Sequence, residues 1–232
     1  MKFKELIGRH RGQTAWIVGK GPSLAFLRAE HFGAGPVIAL NQAIVMVEAL
    51  GLSNMIYSLQ KDGCGIWGPH ESCEQRDGHD WMIRPQRATL MVQEAIGYSR
   101  DCLPDYAPRV AIQMLRDLKF PYLQTMAVRM GIATAKQMGC VKVMMLCCDS
   151  LVNGNLDTFN VWTGQAERTG AGNHYEHSKP KVMRELVNIK YQFVTPAPPP
   201  APPQMLTHLE RGESPNAESV NLGEEELQKE IV

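Results

Sequence analysis

Short, largely apolar runs that stop abruptly at glycine or a polar residue restrict the fold of this chain more than any other feature. Thr14-Ala15-Trp16-Ile17-Val18 ends at Gly19, Pro36-Val37-Ile38-Ala39-Leu40 ends at Asn41, and Val141 to Cys148 ends at Asp149. A strand with one wet face alternates apolar and polar residues. A strand buried on both faces reads as a continuous apolar run, the mark of a parallel sheet covered by helices. The segments between the runs supply those helices. Ser23 to His31 has helical spacing at Leu24 and Leu27, and Gln42 to Leu50 predicts a helix that is apolar almost all round. Asn54-Met55-Ile56-Tyr57-Ser58 predicts a third strand, ended near Lys61-Asp62-Gly63.

Further along, Thr125 is a candidate N-cap for a helix through Met138, with Gly139 as its stop. Ala127, Gly131 and Ala135 give that helix a small-residue face suited to close packing on a sheet. His174 to Val187 predicts another helix and Lys190 to Val194 a last strand. The middle of the chain is less periodic. Residues 64–80 read as a polar, glycine-rich loop, Trp81-Met82-Ile83 as a strand, and Arg87 to Ile96 and Arg109 to Leu118 as helices. The expectation is a Rossmann-like α/β domain over residues 1–195, a mostly parallel sheet with helices on both faces.

Pro196-Ala197-Pro198-Pro199-Pro200-Ala201-Pro202-Pro203 favours polyproline II and withholds ladder hydrogen bonds, so residues 196–203 read as a stiff linker. Residues 204–232 carry a net charge of −5 and little apolar pattern, which predicts a disordered acidic tail. Solubilising the chain is the simpler role for it, and docking a protein partner is the other. The body carries the balancing +5, too little for a dedicated, sequence-specific nucleic-acid binder but suited to a small anionic ligand. No run of about 18 apolar residues predicts a membrane span. The first residues do not read as a signal peptide, so the six cysteines are expected as thiols in the cytoplasm. Oligomeric state is open, a homo-oligomer included.

In doubly wound sheets, ligands bind beyond the carboxyl ends of the strands. The residues so placed are Gly19 to Ser23, Asn41, Asp62 and Asp149. In the first of these, Gly19 and Gly21 permit backbone angles and close approaches that a Cβ would block. Pro22 suits a first helical turn, and exposed N–H groups there would favour a phosphate, with Lys20 adding charge. The absence of a Gly-x4-Gly-Lys-[Ser/Thr] motif disfavours P-loop chemistry.

The chain resembles a bacterial and phage family that includes the sialyltransferases of glycosyltransferase family 42 and the related DUF115-like proteins. The matching residues are Trp16-Ile17-Val18-Gly19-Lys20-Gly21-Pro22-Ser23-Leu24, the strand ending at Leu40-Asn41, the strand followed by Asp62, and Thr125-Met126-Ala127 through Asp149, with a looser echo in Asn173-His174-Tyr175-Glu176-His177. The resemblance implies a nucleotide, or a CMP- or other nucleotide-activated sugar, lying across the first loop. Asn41 and Asp62 would contact base, ribose or phosphate. Asp149, placed just after the central strand, could bind ribose hydroxyls or a metal or cap the next turn, and Thr125 is a further candidate for the donor site. The resemblance also implies a base among His174 and His177, with Tyr175 hydrogen-bonding a phosphate. Many family members are phage-encoded, which would make the cytoplasm that of a host. The sialyltransferases usually carry asparagine where this chain has Lys20, which points away from CMP-sialic acid in particular. A related archaeal group transfers diphosphate from ATP to a pterin, so a diphosphokinase is a second reading and a non-catalytic binding protein a third.

Histidine suits the role of base because its pKa lies near neutrality. Cys64, His70, Cys73 and His79 have the spacing C-x5-H-x2-C-x5-H, all suitable zinc ligands, but lack the usual close Cys-x2-Cys pair. A lid over the active site, with Trp67 and His70 near substrate, is favoured over zinc, and no metal is expected. Cys147 and Cys148, adjacent on the predicted strand, would face opposite ways as buried small hydrophobes.

Overall fold

A computed structural model describes residues 3–60, 87–92, 110–113, 127–168 and 172–198. The apolar runs form strands β1 (Thr14–Val18), β2 (Val37–Leu40) and β3 (Ile56–Gln60), followed by β4 (Thr89–Val92), β5 (Val110–Gln113), β6 (Lys142–Leu146) and, later, β9 (Lys190–Val194). These seven make one sheet in the order β5-β4-β3-β2-β1-β6-β9, and every neighbouring pair is parallel. The chain winds outward from β1 to β5, then returns to lay β6 on the other side of β1. The protein is thus a Rossmann-like α/β fold, with its reversal of strand order between β1 and β6.

Two apolar layers sandwich the sheet. On one face Ala15, Ile17, Tyr57, Leu59, Val143 and Met145 pack against α2 (Ala127–Gln137) and α4 (Gly172–Leu186). On the other, Val18, Val37, Ala39, Met144 and Leu146 pack against α1 (Ala43–Ala49) and against Leu24, Leu27 and Phe159. Side chains buried in this way contribute about 1.5–3 kcal/mol each before ordering entropy is subtracted. The small-residue face of α2 works as its sequence suggests: a Cβ on Gly131 would lie 3.2 Å from Leu40 and 3.3 Å from Ile17. Gly139, at φ 81°, ends that helix in the left-handed region.

Several expectations need correction. Ser23 to His31 is not an α-helix but two 3-10 turns, Pro22–Phe26 and Ala29–His31, separated by extended backbone at Leu27 and Arg28. Arg87 to Ile96 and Arg109 to Leu118 were expected as helices, yet residues 89–92 and 110–113 are β4 and β5. Parallel strands within such a sheet have no alternation to distinguish them from apolar helix segments, and here pairing decides, to β3 for residues 89–92 and to β4 for residues 110–113. The central strand stops at Leu146, because Cys147 turns to φ 55°; Cys147 and Cys148 therefore lie past the strand, not on it. An unforeseen antiparallel hairpin, β7 (Asp157–Asn160) with β8 (Gln165–Arg168), follows the short helix α3 (Asp149–Asn153).

The compact unit that contains these elements runs to Pro198. The 64–80 loop, the Trp81-Met82-Ile83 strand, most of the proline-rich run and the acidic tail lie outside the described residues. No described helix is long and apolar enough to cross a membrane.

Candidate functional site

The reversal of strand order brings three chain segments to the carboxyl edge of the sheet. Register places Val18 beside Leu146 on one side and Ala39 on the other, so Gly19 to Gly21 run out between the turn at Cys147 and the turn at Asn41. Backbone hydrogen bonds stitch them together. Gly19 donates to the Leu146 carbonyl at 2.8 Å and Gly21 to the Cys147 carbonyl at 2.8 Å, while Asn41 donates to Leu59 at 2.8 Å.

The two glycines serve close approach rather than special backbone angles, since neither has a positive φ. A Cβ on Gly19 would sit 2.5 Å from the Cys147 carbonyl, and one on Gly21 would fall within the Asp149 carboxylate. What this contact permits is a buried polar junction. Ser23 is 5% exposed and Asp149 4%. The Ser23 hydroxyl donates to Asp149 Oδ2 at 2.7 Å, and the Ser23 N–H reaches the same oxygen at 3.4 Å. Among the described residues Asp149 is the one buried carboxylate. A buried charge persists only with partners, so the loop and the α3 start are tied to each other energetically.

Backbone strain collects at the same edge. Asn41 and Cys147, the residues after β2 and β6, take φ values of 51° and 55°. Asparagine tolerates this region, whereas a cysteine there costs about 1–2 kcal/mol and is held by its surroundings. Both thiols are buried: burial pushes Cys147 up to about 12 and pushes Cys148 up as well. Neither is a nucleophile near neutral pH.

Two further polar groups, Ser58 and Gln60, line the end of β3. Gln60 Nε2 donates to the Asn41 carbonyl at 2.9 Å and to Ser58 Oγ at 2.7 Å, fixing the Asn41 turn from below. The hairpin approaches from above. Phe159 donates its N–H to the Lys20 carbonyl at 2.7 Å, and its ring is buried in the second apolar layer.

Gly19, Lys20, Gly21, Pro22, Ser23, Asn41 and Asp149 therefore share one edge. The loop is less open to an anion than its sequence suggests. The N–H groups of Gly19, Gly21 and Ser23 are already donated within the protein, a carboxylate stands at Ser23, and the short 3-10 turn Pro22–Phe26 starts where an α-helix with its dipole was expected. His174, Tyr175 and His177 lie in the first turns of α4. Because α4 leads into β9, parallel to β6, the start of α4 is at the carboxyl edge of the sheet. Asp62, Thr125 and the Cys64, His70, Cys73 and His79 set lie outside the described residues. Among the described residues, no three His, Cys, Asp or Glu side chains gather as metal ligands.

Sequence reasoning missed Ser58, Gln60 and the hairpin. Gln60 carries a signal in retrospect: an amide closing an apolar strand has to be satisfied by whatever it is buried beside. No protein-family model matches the chain, and no curated protein matches it.

Proposed function

We propose that this chain is a nucleotide-binding transferase, glycosyltransferase-like, which moves a sugar from a nucleotide-activated donor in the cytoplasm. The observation that carries this reading is the meeting of Gly19–Ser23 and Cys147–Asp149 at the point where strand order reverses, locked by the Ser23–Asp149 hydrogen bond. A crevice at such a point is where doubly wound sheets hold nucleotides. Strained turns at Asn41 and Cys147 on the same edge are the kind of feature that functional sites retain.

In this reading the donor lies over the carboxyl edge between β2, β1 and β6, with Asn41 and Asp149 near its nucleoside. Asp62 and Thr125 would complete the donor site. His174 or His177, carried by α4 to the same edge, takes the proton of the acceptor hydroxyl as its oxygen bonds the sugar's anomeric carbon and the bond from that carbon to the donor phosphate breaks. Tyr175 hydrogen-bonds the departing phosphate. No metal is required for this division of roles. With its backbone N–H groups largely spent, the loop is poorly suited to cradle a triphosphate, which favours sugar transfer over the ATP-dependent diphosphokinase reading.

The test is turnover. Incubation with CMP-, UDP- and GDP-sugars is expected to release the free nucleotide from one donor class. His174→Ala or His177→Ala, whichever removes the base, is expected to lower that rate by about 10²–10⁴-fold while leaving donor affinity within a few-fold. Release of AMP from ATP in the presence of magnesium, with no sugar nucleotide consumed, would instead support the diphosphokinase reading.

A further inference from the structure

Among the described residues, two buried side-chain atoms flanking the glycine loop have no hydrogen-bond partner: Gln42 Oε1 and Trp162 Nε1. One is an acceptor and the other a donor. Gln42 follows the strained Asn41 turn at the start of α1, and the β1–β2 register sets that turn beside Lys20. Trp162 sits in the turn of the β7–β8 hairpin, three residues beyond the Phe159 N–H that bonds the Lys20 carbonyl. Both segments pack on the same apolar layer, through Ala43 and Ile44 on one side and Phe159 and Trp162 on the other. Buried polar groups are nearly always paired, and leaving two unpaired on either side of one loop is costly unless something else completes them.

We infer that Gln42 and Trp162 are nucleoside-recognition residues, and that the β7–β8 hairpin lifts to admit the nucleoside and then closes on it. This rests on the nucleotide-binding reading above. The chemistry of the two atoms selects the nucleoside over the phosphate. A carbonyl oxygen such as Gln42 Oε1 needs a donor, which a phosphate ionised at neutral pH offers poorly, whereas a base N–H or a sugar hydroxyl supplies one. Trp162 Nε1 needs an acceptor, which the same base edge or hydroxyls provide. Both atoms are shielded from solvent, so a ligand reaches them only when a neighbouring element moves. The hairpin is the element built for that. All four β8 residues are exposed, and β7 meets the loop through the buried Phe159 ring and the Phe159–Lys20 hydrogen bond.

The decisive experiment compares wild type, Gln42→Met and Trp162→Phe by calorimetric titration with CMP, UDP, GDP and ATP, with the parent nucleosides, and with inorganic phosphate. For the nucleotide that wild type binds, each variant is expected to lose about tenfold or more in affinity, and the parent nucleoside to show the same loss. The melting temperature of unliganded Gln42→Met is expected to match or exceed wild type, because methionine fills the space without an unpaired acceptor. Equal nucleotide affinity in wild type and both variants would overturn the inference and leave the nucleotide-binding reading intact. So would a fall of several degrees in the unliganded Gln42→Met protein, which would mean that Gln42 holds the fold. Binding of no nucleotide by wild type would overturn both.

Discussion

Gly21 owes its place to close approach and not to its backbone angle, the other freedom that its type offers: its φ is −63° and any residue could adopt it. The requirement is space, because the Asp149 carboxylate occupies the place of a side chain. At the opposite edge of the sheet His10 makes a second buried polar junction. Its Nδ1 pairs with Gln13 Oε1 at 3.0 Å and its Nε2 with the Tyr57 hydroxyl at 2.8 Å. Burial is the largest influence on its pKa and holds it below 6.5, so the folded protein keeps His10 neutral where the unfolded chain would protonate it. The unfolded state then binds more protons, and stability falls as pH drops below about 6.5 toward the folded pKa. Urea midpoints measured between about pH 7.5 and pH 5 should therefore decline more steeply for wild type than for His10→Gln. Parallel curves would remove His10 from the account.

At the scale of elements, α2 is the clearest case of sequence dictating packing. Its glycine lets the helix settle onto Ile17 and Leu40, and larger side chains have nowhere to go. Gly131→Leu is expected to cost about 1–3 kcal/mol in chemical denaturation through overpacking. Gly131→Ala should be close to neutral, since the tight contact offsets a helix-propensity gain of about 1 kcal/mol. Equal stability for the leucine variant would mean that α2 does not bear on β1 and β2 as described. Elements with such strong local signals, β1, β2, β6, α2 and its Gly139 stop, were legible in the sequence. Residues 89–92 and 110–113 were not, because a short apolar segment states its burial but not its period, and only the neighbouring strand makes it β. The hairpin was hidden for the opposite reason: β8 is exposed throughout, and Phe159 is the one buried residue of β7. In the site, glycine, proline and the residues after strands could be found from spacing. Ser58 and Gln60 act through contacts made only in the folded chain.

At the scale of the whole molecule, one topological event builds the site: the return of the chain from β5 to place β6 against β1. That return joins the Gly19–Ser23 loop to Asp149, sets the strained Asn41 and Cys147 turns on either side, and carries the start of α4 with His174 and His177 to the same edge. The central claim is that this edge binds a nucleotide. Calorimetric titration of the full chain with CMP, UDP, GDP and ATP, beside Gly21→Ala, tests it most directly. The account predicts saturable binding of at least one nucleotide, weakened about tenfold or more when the added Cβ forces the loop from Asp149, with the variant still folded. No binding of any of the four up to about 1 mM, the upper end of ordinary substrate affinities, would contradict it.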